Sequence, residues 1–274
     1  MTNEPQKPSE PDRSKYIGGS DIGVIMGMSE NMTPYELWLE KTHKVPKRPP
    51  SLATGAGHAL ENLILDKYCE TKGRTIIRQV QLHSDEYPWA GGTADGIDYE
   101  AGVIVDAKAS CAFGTWQYGP PQHVYSQMQW YMWLSGGIRQ ADIALLQANA
   151  GWSFTTFEIQ RNDDFIREAI EAASDFWTCI IEDTAPEPLC YEDVMRMFPI
   201  PKKKEIIATR LVEEMVLAWE KMATQSRKID DEIAEIRNDL ALYMLDHDVL
   251  TSESGRALVR SVNGKWGRQL RIVG

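Results

Sequence analysis

The stretch Gly91-Gly92-Thr93-Ala94-Asp95-Gly96-Ile97-Asp98-Tyr99-Glu100-Ala101-Gly102-Val103-Ile104-Val105-Asp106-Ala107-Lys108 decides how this chain is read. Two strand-forming runs, about 90–99 and 103–109, flank a Glu100-Ala101-Gly102 turn, the pattern of an antiparallel hairpin. Side chains alternate across a strand, so Asp106 and Lys108 share one face while Val105 and Ala107 take the other, and Asp95 on the partner strand can converge on the first pair. Two carboxylates held together repel, and burying them uncompensated costs several kcal/mol, so the pattern asks for a cation. Hard oxygen ligands suit Mg²⁺, with Mn²⁺ able to substitute. A cation there polarises a phosphate and lowers the pKa of water, and Lys108 can orient that water or offset the charge on a phosphorane, which is phosphodiester hydrolysis. An Asp-x-Lys pair also occurs on ordinary surface hairpins, so other residues have to choose between the two readings.

Two residues bear on that choice. In the helical run from Gly57 to about Glu70, Leu60, Leu63, Ile64 and Tyr68 recur at three- and four-residue spacing, which puts Glu61 near an apolar face. A carboxylate there needs a partner, unless it snorkels outward as a boundary residue. Gln127 lies among Val124, Met128 and Tyr131 of a helix opened by Pro121, where its amide must find hydrogen bonds within the core or the site.

Outward from these segments the chain alternates helix and strand. Residues 1–14, rich in Pro, Glu, Lys and Ser, read as a disordered leader. Ser20-Asp21 precede an apolar helix, and Thr33-Pro34 open a second one with a Thr cap and Pro at its first position. The Pro-rich linker 44–50 ends it. Strands are expected at 75–82, 141–148 and 153–159, a helix at 163–182 and a break at 185–188. From about Lys202 to Asp246 a long periodic helix forms an arm, and Asn263-Gly264 is expected to turn a basic C-terminal hairpin. The organisation is a leader over 1–14, an α/β core over 15–200, and a helical arm with a hairpin over 201–274.

Composition narrows the class. With 274 residues, 43% hydrophobic and 25% charged, the chain is of ordinary globular type. No apolar run approaches the roughly 20 residues of a membrane span, and no apolar signal segment opens the chain, so we expect no membrane and a cytoplasmic protein. The four cysteines form no metal-ligand spacing. A net charge of −11 is unusual for a DNA-binding protein. Carboxylates gathered around cations in metal-dependent nucleases account for part of that charge, and the basic residues cluster: Lys41, Lys44, Lys47 and Arg48; Lys202, Lys203 and Lys204; Arg256, Arg260, Lys265, Arg268 and Arg271.

Five motifs in order, Gly18-Gly19-Ser20-Asp21-Ile22, Gly57-x-x-x-Glu61, Gly92-Thr93-Ala94-Asp95-Gly96, Val105-Asp106-Ala107-Lys108 and Ser126-Gln127-Met128-Gln129-Trp130-Tyr131-Met132-Trp133, resemble the lambda-exonuclease (YqaJ-type) viral recombinase family of the PD-(D/E)xK nuclease superfamily. The resemblance covers about residues 13–180. It implies an α/β, restriction-endonuclease-like core, a central mixed sheet flanked by helices, here extended by the long C-terminal helix and β-hairpin. It also implies magnesium-dependent, 5′-to-3′ digestion of one strand of linear double-stranded DNA, leaving 3′ overhangs for a single-strand annealing protein. A homotrimer of phage or prophage origin, acting at DNA ends in the bacterial host cytoplasm, goes with it.

Carried over by position, Asp95, Asp106 and the Ala107 carbonyl would hold metal, and Glu61 would serve a second metal or its water. Lys108 would be the catalytic lysine, and Gln127 would position it or the nucleophile. Arg13, Ser20 and Thr93 would grip the 5′-terminal phosphate, for which a guanidinium fork and hydroxyls are suited. The chain departs from the family in having Asp106 where Glu is usual and in a slightly longer Asp95-to-Asp106 spacing. Its arm has no counterpart in the shortest members and either joins subunits or guides DNA. A RecB-like nuclease, whose iron–sulfur relatives need a cysteine quartet, a restriction-type nuclease, and a nuclease-inactive DNA-binding scaffold are the competing readings.

Overall fold

A computed structural model describes residues 13–112, 114–200, 205–264 and 267–273. The chain divides into two units, Met1–Ile200 and Pro201–Gly274.

The first unit is built on a five-stranded sheet in sequential order: β1 (Ile77–His83), β2 (Gly91–Asp98), β3 (Val103–Ser110), β4 (Gln140–Gln147) and β5 (Ser153–Gln160). Neighbours pair antiparallel except β3 with β4, which run parallel because the crossover helix α4 (Gln122–Leu134) joins them. Gly102, at φ 66°, makes the tight return between β2 and β3 that a side chain would strain, and Asp98 Oδ1 accepts the Ala101 N–H at 2.9 Å.

The two faces of the sheet bury different helices. On one, Ile64, Leu65 and Tyr68 of α3 (Leu52–Lys72) pack on Val103, Val105 and Ala144. On the other, α4 joins α1 (Gly19–Ile25), α2 (Pro34–Lys41) and α5 (Asp163–Ile181) over Ala94, Ile97, Ile104 and Ile143. Aromatic residues of α4 supply much of this second layer. Trp130 and Trp133 lie 4.6 Å apart between ring centroids, and Trp130 Nε1 donates to the Gly91 carbonyl, tying α4 to the start of β2. The Thr33 cap acts as the sequence predicts, in a reciprocal capping box with Glu36, and Asn162, which the sequence reading did not single out, caps α5.

Several boundaries differ from expectation. Residues 1–12 of the leader lie outside the described residues, and Arg13–Lys15 already form a 3₁₀ turn. The α3 helix begins at Leu52 rather than Gly57, capped by the Ser51 hydroxyl, because one good cap outweighs the helix-weakening Gly55 and Gly57. A short helix α6 (Tyr191–Met197) follows the proline break unannounced, since its single turn or two carries too little periodicity. Lys41, expected in a basic surface cluster, is buried, with its ammonium 2.8 Å from Asp21 Oδ2 and donating to the Arg13 and Tyr16 carbonyls.

The second unit holds α7 (Arg210–Met244) and a three-stranded antiparallel sheet of β6 (Val249–Thr251), β7 (Ala257–Gly264) and β8 (Gly267–Ile272). The helix starts eight residues later than predicted, and the Lys202–Lys204 cluster lies outside the described residues. Asn263 and Gly264 do not form the hairpin turn: they still pair with Arg268 and Gly267, so they end the strand. Among the described residues no helix is long and apolar enough to cross a membrane.

Candidate active site

The ladder between β2 and β3 stops at the Gly96–Val105 pair. Beyond it the strands part, and the next free donor on that edge of β3, the Ala107 N–H, is taken by the Asp95 carboxylate at 2.9 Å. The N–H and C=O of one strand residue face the same edge, so the Ala107 carbonyl looks toward the same opening. Asp106 and Lys108 stand on the α4 face of β3, as alternation requires, and Lys108 Nζ lies 2.7 Å from Asp106 Oδ2. From α4, Gln127 closes the group. Its Oε1 accepts from Lys108 Nζ at 3.3 Å, and its Nε2 lies 3.2 Å from both Asp106 Oδ1 and the Tyr131 hydroxyl.

Burial makes this cluster electrostatically tense. Asp106 keeps 2% of its side-chain surface, against 28% for Lys108. Loss of water, then the Asp106 charge beside it, pushes the Asp95 carboxyl up to about 7, against the pull of Lys108 and the Ala107 N–H; Glu61 adds to the rise. For Lys108, burial alone would lower the pKa, but Asp106, Asp95 and Glu61 together outweigh it and hold the ammonium above its usual value. The Tyr131 phenol is raised by burial and by Asp106, so it stays protonated.

The donor set fits a hard divalent cation. Asp106 Oδ2 is buried and faces the Lys108 ammonium at 2.7 Å, while Asp95 beside it is a second carboxylate that the same ammonium has to balance. Two buried carboxylates against one ammonium leave negative charge that a cation would complete. Among the described residues no three His, Cys, Asp or Glu side chains gather into a ready metal cage. Two carboxylates and a carbonyl are a donor set of the Mg²⁺ kind, since that ion keeps several of its own waters.

Glu61 is held next to this group without joining its hydrogen bonds. Its charge acts on both Asp95 and Lys108, while its Oε1 accepts from Gln79 Nε2 at 2.5 Å. Gln79 sits within β1 at the register position across from Asp95, between the Arg78–Gly96 and Val80–Ala94 pairs, with φ 54°. A left-handed backbone in a strand interior is costly for a residue with a Cβ, and such outliers gather at functional sites. Nothing in the periodicity of 75–82 marks Gln79; only its place opposite Asp95, read from a register, would have found it.

The residues expected to bind phosphate come together in part. Arg13 Nη2 donates to Ser20 Oγ at 2.5 Å and lies 3.5 Å from Asp21 Oδ1. The segment carrying them is fixed to the start of β2, where Ile17 bridges to Ala90 and the Gly91 N–H donates to the Ile17 carbonyl. The Tyr131 ring then links the two halves. A Cβ at Gly19 or at Gly92 would each lie 2.6 Å from Tyr131 Cε1, so only glycine admits the ring at either place. Gly19 and Gly92 therefore meet on one aromatic ring whose hydroxyl also feels Arg13, Asp95 and Asp106. Thr93 faces the same side of β2 as Asp95 by strand alternation, and no hydrogen bond joins it to Arg13 or Ser20.

Residues 10–137 match the model of the YqaJ-like viral recombinase domain. An uncharacterised protein of Bacillus subtilis (strain 168), YqaJ, is 30% identical over 172 residues, covering 61% of this chain and 53% of that one, so the chain spans about half the length of the curated relative it matches. Among solved structures, an alkaline exonuclease (LHK-Exo) from Laribacter hongkongensis superposes with a TM-score of 0.54 at 16% identity, over 62% of this chain and 90% of that one. A phage related exonuclease from Haemophilus somnus 129PT gives a TM-score of 0.50 at 18% identity, over 61% of this chain and 96% of its own. At such identities these likenesses speak to the fold, a five-stranded mixed sheet between helices. The matched stretch, residues 10–137, is similar to a YqaJ-like viral recombinase domain and carries Arg13, Glu61, Asp95, Asp106, Lys108 and Gln127.

Proposed function

We propose that this protein is a metal-dependent deoxyribonuclease that digests one strand of linear duplex DNA from its 5′ end, leaving 3′ overhangs for a single-strand annealing protein. The observation that carries the reading is the buried pair of carboxylates, Asp95 and Asp106, with a charged lysine and a bridging glutamine facing the same space. Mg²⁺, held by Asp95, Asp106 and the Ala107 carbonyl, would supply Lewis-acid polarisation of the scissile phosphate.

The protein's own groups do the rest. Water attacks phosphorus, the P–O3′ bond breaks, and the leaving oxygen is protonated, so the products carry a 5′ phosphate and a 3′ hydroxyl. Lys108, kept charged by three carboxylates, orients the water and offsets charge gathering on the phosphorane oxygens. Gln127 holds Lys108 and Asp106 in one geometry through its two amide ends. Arg13, Ser20 and Thr93 receive the 5′-terminal phosphate and so select ends over continuous duplex.

Digestion of linear duplex with and without a 5′ phosphate, alongside closed circular DNA, in Mg²⁺ and in EDTA, tests this. Metal-dependent loss of the linear forms alone, faster with the phosphate, is expected. Nicked circles would mean an endonuclease, and no cleavage a DNA-binding scaffold.

A further inference from the structure

The α7 helix is 35 residues long, and Met244 is its one buried residue. Most helical stability in proteins comes from packing an apolar face, so a helix this long with an open face is a surface in need of a partner. Its face is also regular. Met215, Met222, Ile229 and Ile236 recur at intervals of seven, and Trp219, Ser226, Ile233 and Leu240 form a second row displaced by four and three. This is the a/d seam of a coiled coil over four heptads, and its apolar members other than the half-buried Leu240 are exposed, from 41% at Ile233 to 72% at Trp219.

The flanking positions say what covers the seam. With Ile233 at a and Ile236 at d, Glu232 falls at g and Arg237 at e. In a parallel pair of identical helices each g residue faces the e residue five further along its neighbour. Glu232 then meets Arg237 of a second copy, Gln225 meets Asp230, Ala218 meets Ala223, Leu211 meets Val216 and Asp239 falls against Met244, so one pair joins opposite charges and none sets like charges together. An antiparallel pair would set e against e and g against g and lose the Glu232–Arg237 match. We propose that α7 is a self-association element, pairing in parallel with α7 of a second copy of this chain.

The full-length protein, followed by sedimentation equilibrium across micromolar concentrations, tests this independently of nuclease activity. Wild type is expected to associate. Arg237→Glu, which makes two repulsive pairs per dimer, should weaken association about 5- to 10-fold, and Glu232→Arg combined with Arg237→Glu should restore it. Lys228→Glu, away from the seam, should leave it unchanged, and matching far-UV circular dichroism at the highest concentration excludes misfolding as the cause. A monomeric wild type, an Arg237→Glu variant that associates normally, or a double reversal no better than the single one would each overturn the proposal. An Ile236→Asp variant gives a second reading: it should associate less than wild type, and undiminished association would place the contact elsewhere.

Discussion

Gln79 donates to Glu61 from a left-handed backbone position directly across the strand register from Asp95. The hydrogen bond links β1 to α3 at the rim of the carboxylate pair. Groups that orient metal-site carboxylates typically contribute 10- to 100-fold to activity. Gln79→Ala should therefore slow cleavage by about 10-fold with little change in DNA binding. Gln79→Gly should lose the same activity yet melt no lower than wild type, because relieving the positive φ offsets what the strand loses. Activity and melting temperature falling together in the glycine variant would show that the side chain supports the fold instead.

Asp95→Ala, Asp106→Ala and Lys108→Ala should each lower the cleavage rate by at least about 10³-fold, corresponding to roughly 4 kcal/mol of barrier. Asp106→Asn should be equally inactive and also less stable without metal, since it takes from the Lys108 ammonium the carboxylate 2.7 Å away. Single-turnover digestion and thermal melts measure both, and substantial activity in all three alanine variants would sink the site assignment.

The Asp95 carboxyl, at about 7 in the metal-free protein, lies above the roughly 3.9 of an unfolded chain. A raised acid favours the folded state when protonated. Its contribution is fully present below pH 4 and is lost as pH rises through 7. Bound Mg²⁺ compensates the ionised form, so the gain in melting temperature on adding Mg²⁺ should be larger at pH 8 than at pH 5.5. Asp95→Asn should abolish that difference; an unchanged difference would assign it to another group.

Arg13→Ala should reduce the preference for 5′-phosphorylated over 5′-hydroxyl ends. Arg13→Lys should recover it only partly, because an ammonium lacks the guanidinium fork. Equal losses on both substrates would mean that Arg13 acts through Asp21 and the packing of the N-terminal segment.

Gly92→Ala should destabilise the protein by about 1–3 kcal/mol, the usual cost of overpacking, because its Cβ would sit 2.6 Å from the Tyr131 ring. Combining it with Tyr131→Leu should cost less than the sum of the two single changes. Additive losses in denaturant unfolding would count against direct contact between ring and backbone.

Much of this site is legible in the chain because it rests on local rules. The hairpin, the shared face of Asp106 and Lys108, and the Thr33 cap follow from strand alternation and capping preference, which need only near neighbours. The burial of Lys41 is not legible: surrounded in sequence by Lys44, Lys47 and Arg48, it reads as surface until Asp21 and two carbonyls are brought to it. Asn263-Gly264 misleads for a related reason. A strong local turn preference yields when continued pairing with Gly267 and Arg268 carries the strand past it.

By itself the sequence determined the kind of fold and the kinds of group at the site, because hydrophobic period, turn chemistry and the Asp-x-Lys spacing are properties of consecutive residues. Only the tertiary structure decided which groups meet: that Tyr131 is wedged between Gly19 and Gly92, that Gln127 spans Lys108 and Asp106, and that Gln79 holds Glu61. Those contacts join segments tens of residues apart. They exist because burying both faces of one sheet forces α3 and α4 onto opposite sides of the same hairpin, and no local propensity encodes that closure.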